Sequence, residues 1–240
     1  MEARVLASFF SLWASLLFSG EASLLFQSDF ALNTQLRGWV DVYQKSPPKF
    51  PDNYQVVTEE GKTFLQTGEV MFGLSHKLRQ PIKVDDSISL IQIAVMLRQP
   101  KEFTGHQLSI ALSSRATVAA DAGQAFWRLR DSGFIANGYI HNLQGSNFIA
   151  YQKEGRQTRS SRPIAPFGLL SAHDQWQEWI LIYDHQQKQL KFYHEPAAAT
   201  PYLRMYYCDL SNIELNSVWL GAWGTQYRNV TVSVIYNTEK

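Results

Sequence analysis

The chain has 240 residues, 45% of them hydrophobic and 13% aromatic, enough to bury a substantial core in one large domain. Charged residues make up 18% and the formal net charge is +1, which excludes the strongly basic face of a nucleic-acid binder. Cys208 is the only cysteine, which excludes an intramolecular disulfide and hence a small stapled scaffold.

The chain opens M-E-A-R, followed by an apolar stretch from Val5 to Phe18 and small residues ending at Ala22. These are the three parts of a secretory signal, with Gly20 and Ala22 at the restricted positions before the cut. The apolar stretch falls short of the roughly 18 residues that argue for a membrane span. The expectation is therefore that residues 1–22 are a cleaved signal and that residues 23–240 form one exported domain, secreted or periplasmic, with no membrane span after removal.

Strand-length runs follow at Leu25–Phe30 and Leu36–Tyr43, then a breaker-rich loop through Pro47, Pro48 and Pro51. Tyr54–Thr58 and Thr63–Thr67 flank the turn Glu59-Glu60-Gly61-Lys62 and read as a hairpin. Val70–Leu78 and Ser87–Leu97 come next; the second is apolar on both faces, as a central strand covered on both sides would be. Gln107–Ser113, Phe126–Arg130, Gly138–Leu143 and Asn147–Tyr151 continue the β pattern, and Ala116–Gly123 reads as a loop or short helix. Lys153–Ser171 is polar, basic and Pro-containing, and reads as the longest loop. Trp179–Asp184, Gln189–His194, Tyr202–Tyr207, Ser217–Trp223 and Val230–Tyr236 complete the series. In the last, Val230, Val232 and Val234 alternate with Thr231 and Ser233, the period of a half-buried strand. Short strands with turns every 8–12 residues and no sustained helical period predict an all-β, two-sheet antiparallel sandwich.

Three stretches carry a family resemblance: F-Q-S-D-F with R-G-W near the mature start, W-I-L-I-Y-D-H-Q-Q-K-Q-L-K-F-Y, and the closing R-N-V-T-V-S-V-I-Y-N. Together they resemble the concanavalin A-like, laminin-G-like jelly rolls of lectins and glucanases. The resemblance implies a jelly-roll sandwich with the first and last strands as neighbours, and a glycan or polysaccharide as partner. Glucanases of this kind carry Glu-x-Asp-x-x-Glu on one strand, and no such triple exists here. Glu59-Glu60 and Asp85-Asp86 are adjacent pairs, whose side chains point to opposite faces. Alginate-lyase-like members use Gln-x-His; the nearest stretch is G-Y-I-H, with Tyr139 in place of Gln.

The densest collection of sugar-binding chemistry lies between Phe126 and Gln144. It offers Trp127, Arg128, Arg130, Tyr139 and His141, with Tyr139 and His141 on one strand face. A ring stacks on the apolar face of a pyranose, and planar polar groups bond its hydroxyls. Trp219, Trp223 and Tyr227, with Gln226 and Arg228, form a second group; Trp223 precedes G-T-Q-Y-R-N, which reads as an exposing loop. Lys153, Arg156, Arg159 and Arg162 face one anion, Glu154, and suit either solvent or acidic glycans. Cys208 reads as a buried small hydrophobe, and His185, in D-H-Q-Q-K, as exposed. The histidines show no metal-ligand spacing, so no cofactor is expected, while a structural calcium held by loop oxygens stays open because it leaves no signature outside EF-type loops. Asn229-Val230-Thr231 fits a glycosylation sequon. Three functions remain: a glycan-binding module, a glycoside hydrolase or polysaccharide lyase using His141, Tyr139 and Arg128 or Arg130, and a structural envelope-associated domain.

Overall fold

The computed structural model describes residues 22–41, 54–68, 72–98, 100, 106–115, 132–141, 144–153, 156–164, 174–194 and 200–237; at 72, 106–108, 137–141, 144–148, 157, 159–164, 222 and 223 it describes the backbone alone. The expected signal, apart from Ala22, lies outside these residues. So do Phe126–Arg130 and Ala116–Gly123.

Fifteen strands are described: β1 Ala22–Ser28, β2 Trp39–Asp41, β3 Tyr54–Glu59, β4 Lys62–Thr67, β5 Phe72–Lys83, β6 Ile88–Arg98, β7 His106–Ser113, β8 Gly133–His141, β9 Gln144–Lys153, β10 Arg156–Ile164, β11 Gln177–Asp184, β12 Gln189–Tyr193, β13 Leu203–Met205, β14 Glu214–Trp223 and β15 Gln226–Tyr236. They form two antiparallel sheets. The eight-stranded sheet runs β13-β12-β11-β6-β15-β4-β3, with β1 also on β15; the seven-stranded sheet runs β10-β9-β8-β7-β14-β5-β2. First and last strands are neighbours, Ser23 opposite Val234 and Ser28 opposite Val230. This is a jelly-roll sandwich.

Alternation drives the packing. Ile91, Ile93, Val95, Trp179, Leu181, Val232 and Val234 of one sheet meet Ile110, Leu112, Phe134, Ile149, Val218 and Leu220 of the other in one core. Each such side chain contributes about 1.5–3 kcal/mol when fully buried. The F-Q-S-D-F and R-G-W residues form a plug within this core: Phe26 and Phe30 lie 6.0 and 6.1 Å from the Trp39 ring. Trp39 Nε1 donates to Ser28 Oγ at 3.3 Å. Gly38 has φ +83, and a Cβ there would run into the His76 ring, so only glycine lets the chain turn so close to it. The family-like stretch is thus structural.

The β3–β4 hairpin turns on Glu60 and Gly61, with φ of 50 and 72. Two successive positive φ values match the twist of the strands they join.

Several expectations are corrected. Leu36 has φ 49 and lies in a turn, so the second strand starts at Trp39 rather than Leu36, and Asp41 is its last described residue. Much of Lys153–Ser171 is not a loop, because Arg156–Ile164 pairs with β9 throughout. It hid because it is an edge strand, where charges and a proline such as Pro163 replace alternation. G-T-Q-Y-R-N is not a loop either: β15 starts at Gln226, so Gly224 (φ 64) and Thr225 alone cross between the sheets. Tyr227 consequently falls in the core, fully buried. The Tyr202–Tyr207 strand contracts to Leu203–Met205 because Tyr207 has φ 63. His185 is buried rather than exposed. Its ring sits 3.2 Å from the Tyr183 hydroxyl and 3.1 Å from Lys188 Nζ. Cys208 is buried as expected, its thiol pushed up to about 12 by burial, and it lies beyond β13 rather than in a strand.

Candidate functional site

Each sheet has one face in the core and one facing away, and the register fixes what the second face carries. On the seven-stranded sheet Trp223 pairs with Gln107, and Gln107 with Tyr139. These two expected site residues therefore occupy one row, with position 141 at the strand end nearby. Trp219, four residues before Trp223, lies between Ser75 and Ala111, and that row continues to Ile135 and Ala150. At Tyr139, His141 and Trp223 only the backbone is described, while Trp127, Arg128 and Arg130 lie outside the described residues.

The eight-stranded sheet presents a different collection. Glu178 on β11 pairs with Met96 on β6, and Met96 pairs with Arg228 on β15. Directly opposite residues share a face, so Glu178 and Arg228 flank Met96, their Cα atoms about 10 Å apart by the usual strand spacing. In the next row Arg98 pairs with Gln226, which pairs with Gln66. Arg228 stays on this face because of a bulge. Three steps along β15, from Arg228 to Thr231, oppose two along β6, from Met96 to Ala94. Asn229, with φ 51, is the extra residue, and such bulges re-aim neighbouring side chains.

Trp176, just before β11, is the aromatic centre. The Arg228 guanidinium lies 4.4 Å from its ring centroid and that of Arg98 5.1 Å, and the Phe64 ring meets it edge-on at 5.5 Å. Arg98 is satisfied: it bonds Gln226 Oε1 and forms an ion pair with Glu59. Arg228 is not, because its buried Nε has no hydrogen-bond partner. Burial, then the neighbouring Arg98, lowers its guanidinium below the ordinary value. Glu178 is the complementary case. Its Oε1 is buried without a partner, and burial alone pushes its carboxyl up to about 7.

A buried polar group left unpaired is costly, so two facing one patch mark capacity for a ligand. Near neutrality a protonated Glu178 can donate or accept, and Arg228 Nε can donate. Two-carboxylate hydrolysis would need a second free carboxylate. On this face Glu59 is held by Arg98, and Asp184 by Lys191 at 2.8 Å. Among the described residues no three His, Cys, Asp or Glu side chains gather as a metal group.

Sequence reasoning singled out Arg228 and Gln226 but placed them in a loop, and it missed Trp176, Glu178 and Arg98. The signal was in W-Q-E-W: alternation puts Trp176 and Glu178 on one face and Gln177 and Trp179 on the other.

No family model matches the chain, and no curated protein does. Solved structures do. The CBM2 module of the evolved Dit of Lactobacillus casei BL23 phage J-1 superposes with a TM-score of 0.57 at 9% identity, over 93% of this chain and 100% of that one. A protein of galectin-like fold from Bacillus subtilis gives 0.55 at 10% identity, over 92% and 100%. An endo-1,3-beta-glucanase from Streptomyces sioyaensis gives 0.51 at 9% identity, over 92% and 98%. The fold of this chain is therefore the concanavalin A-like jelly roll, shared with lectin-like, carbohydrate-module and glucanase domains.

Proposed function

We propose that this chain is an exported glycan-binding module whose ligand lies against Trp176, Glu178 and Arg228. One observation carries the reading: a buried acceptor, Glu178 Oε1, and a buried donor, Arg228 Nε, are both unspent on one sheet face beside a tryptophan. Sugar hydroxyls both donate and accept, and so suit that pair. The carbohydrate modules and glucanases that share the fold agree with this class of ligand. Affinity electrophoresis through gels containing β-1,3-glucan, mixed-linkage glucan or polygalacturonate tests it. Retardation of the wild type, lost in Arg228→Met with an unchanged melting temperature, is the expected result. A wild type retarded by no polymer ends the reading.

A second location, on the seven-stranded sheet, is favoured by the row joining Trp223 to Tyr139, with position 141 at the end of the same strand. Retardation that survives Arg228→Met but not Tyr139→Ala moves the site there. Release of short or unsaturated sugars from a retained polymer would turn the module into a hydrolase or lyase. Export with loss of residues 1–22 is checked by the mass of the exported protein; Ala22 already pairs with Ile235 in β1, so a cut after it trims one rung of that ladder.

A further inference from the structure

Resting on the glycan-binding reading, we infer that Tyr206 and Tyr207 form a second, stacking subsite for the same polymer, at the far end of the sheet that carries Trp176, Glu178 and Arg228. Tyr206 is 54% exposed and Tyr207 89%, whereas every other tyrosine with a described side chain is buried or half-buried. The two rings lie 6.5 Å apart. Arg204 joins them: its guanidinium is 5.9 Å from the Tyr206 ring centroid, and Nη1 donates to the Tyr206 hydroxyl at 3.4 Å.

The backbone supplies the second observation. Tyr207 has φ 63, a left-handed conformation unfavourable for a bulky side chain and met mainly where the surroundings impose it. Here they do. The Tyr151 hydroxyl donates to the Tyr207 carbonyl at 3.3 Å, and the next amide, Cys208 N, donates to the Lys188 carbonyl at 2.7 Å. The fold thus fixes the main chain in a strained shape and leaves the ring in water, where it packs no core. Strained residues of this kind cluster at ligand sites. An exposed aromatic face is what the C–H face of a pyranose stacks on, and the Arg204 and phenol groups supply bonds to its hydroxyls.

Placement identifies the ligand as a polymer. Glu178 and Asp184 stand six residues apart on β11, about 20 Å at the usual strand rise. Tyr206 follows Met205, which pairs with Leu190 near the Asp184 end. A single sugar cannot reach both ends, but a chain can, and joining two weak subsites raises affinity through effective concentration.

The test uses the full chain, the polymer that retards it in the three-gel panel, and fragments of that polymer two or three sugars long. Tyr206→Ala and Tyr207→Gly should each weaken polymer binding about tenfold and leave fragment binding within about twofold. Tyr207→Gly should hold or raise the melting temperature, because glycine relieves the left-handed strain. Polymer binding unchanged in both variants overturns this subsite while leaving the proposed function standing. A melting temperature that falls along with binding in Tyr207→Gly makes the ring structural and also overturns it. A wild type that binds no polymer removes the proposed function itself, and this subsite with it.

Discussion

The two sheets pack alike inward and differ outward. On the seven-stranded sheet the described row that faces away from the core is closed: Trp219, Ala111, Ile135 and Ala150 are buried side by side. Trp219 Nε1 donates to Ser217 Oγ at 2.6 Å, and that hydroxyl bonds the Arg115 carbonyl. Among the described residues of that row, Ser75 Oγ alone is buried without a hydrogen-bond partner. On the eight-stranded sheet the corresponding face is half-buried and charged, with Glu178 Oε1 and Arg228 Nε unpaired. A neutral hydroxyl costs less to leave unpaired than a charged group. The lesson is that burial by itself does not mark a site; what separates the faces is whether buried polar groups have found their bonds.

Substitutions can sharpen or break this contrast. The largest effect is expected at the closed face. Trp219→Ala should cost about 3–5 kcal/mol, read from the urea midpoint; a loss under about 1 kcal/mol would mean that Trp219 is loosely held and that the closed face is open.

The next effect is at Glu178, and it depends on pH. The folded chain keeps the Glu178 proton up to about 7, from an ordinary value of 4.5. Between those values unfolding releases a proton, so the contribution of this group is fully present below the lower value and is lost as pH rises through the window. Glu178→Gln cannot ionise. It should be more stable than wild type by about 1 kcal/mol near pH 8, a figure held down by solvent screening of a partly exposed group, and indistinguishable near pH 4. Equal stability at both pH values would show that the carboxylate has a partner in solution.

His185 should show the opposite sign. Its folded value is lowered by burial and then by Lys188. As pH falls below about 6.5 the unfolded chain takes up the proton first, so stability drops. His185→Gln should flatten that acid limb in a pH series of urea midpoints. The Glu178 and His185 limbs separate a face with an unpaired acid from a turn with a packed base.

Two smaller effects complete the series. Arg228→Met removes an unpaired buried donor, and its stability should stay within about 1 kcal/mol of wild type; a loss above about 2 kcal/mol would place Arg228 in the structure's own bonding. Gly61→Ala should cost about 1 kcal/mol or less. At φ 72 a Cβ meets nothing within 4 Å, so the cost is purely conformational. This calibrates the backbone term against which Tyr207→Gly is read.

The strands were largely legible because alternation is local. Val230, Val232 and Val234 read inward and Thr231 and Ser233 outward, as the register has them. The edge strand β10 was not legible, since an edge pairs on one side only and carries Arg156, Arg159 and Pro163 where a central strand carries Val or Ile. The cluster was half legible. Arg228 and Gln226 stood out by composition, but nothing local says that Glu178, fifty residues earlier, lies two strands away on the same face.

By itself the sequence determined the all-β class, the absence of an intramolecular disulfide, and that Val230, Val232 and Val234 share one face of the last strand and Thr231 and Ser233 the other. Side-chain direction along a strand follows from chain geometry with period two, and burial of one face follows from hydrophobicity. Only the tertiary structure decided that β6 stands between Glu178 and Arg228, that the extra residue Asn229 turns Arg228 outward, and that His185 and Tyr227 are buried. Whether a polar atom is paired depends on partners brought in by long-range pairing. That information resides in the register between strands, which no local stretch of sequence contains.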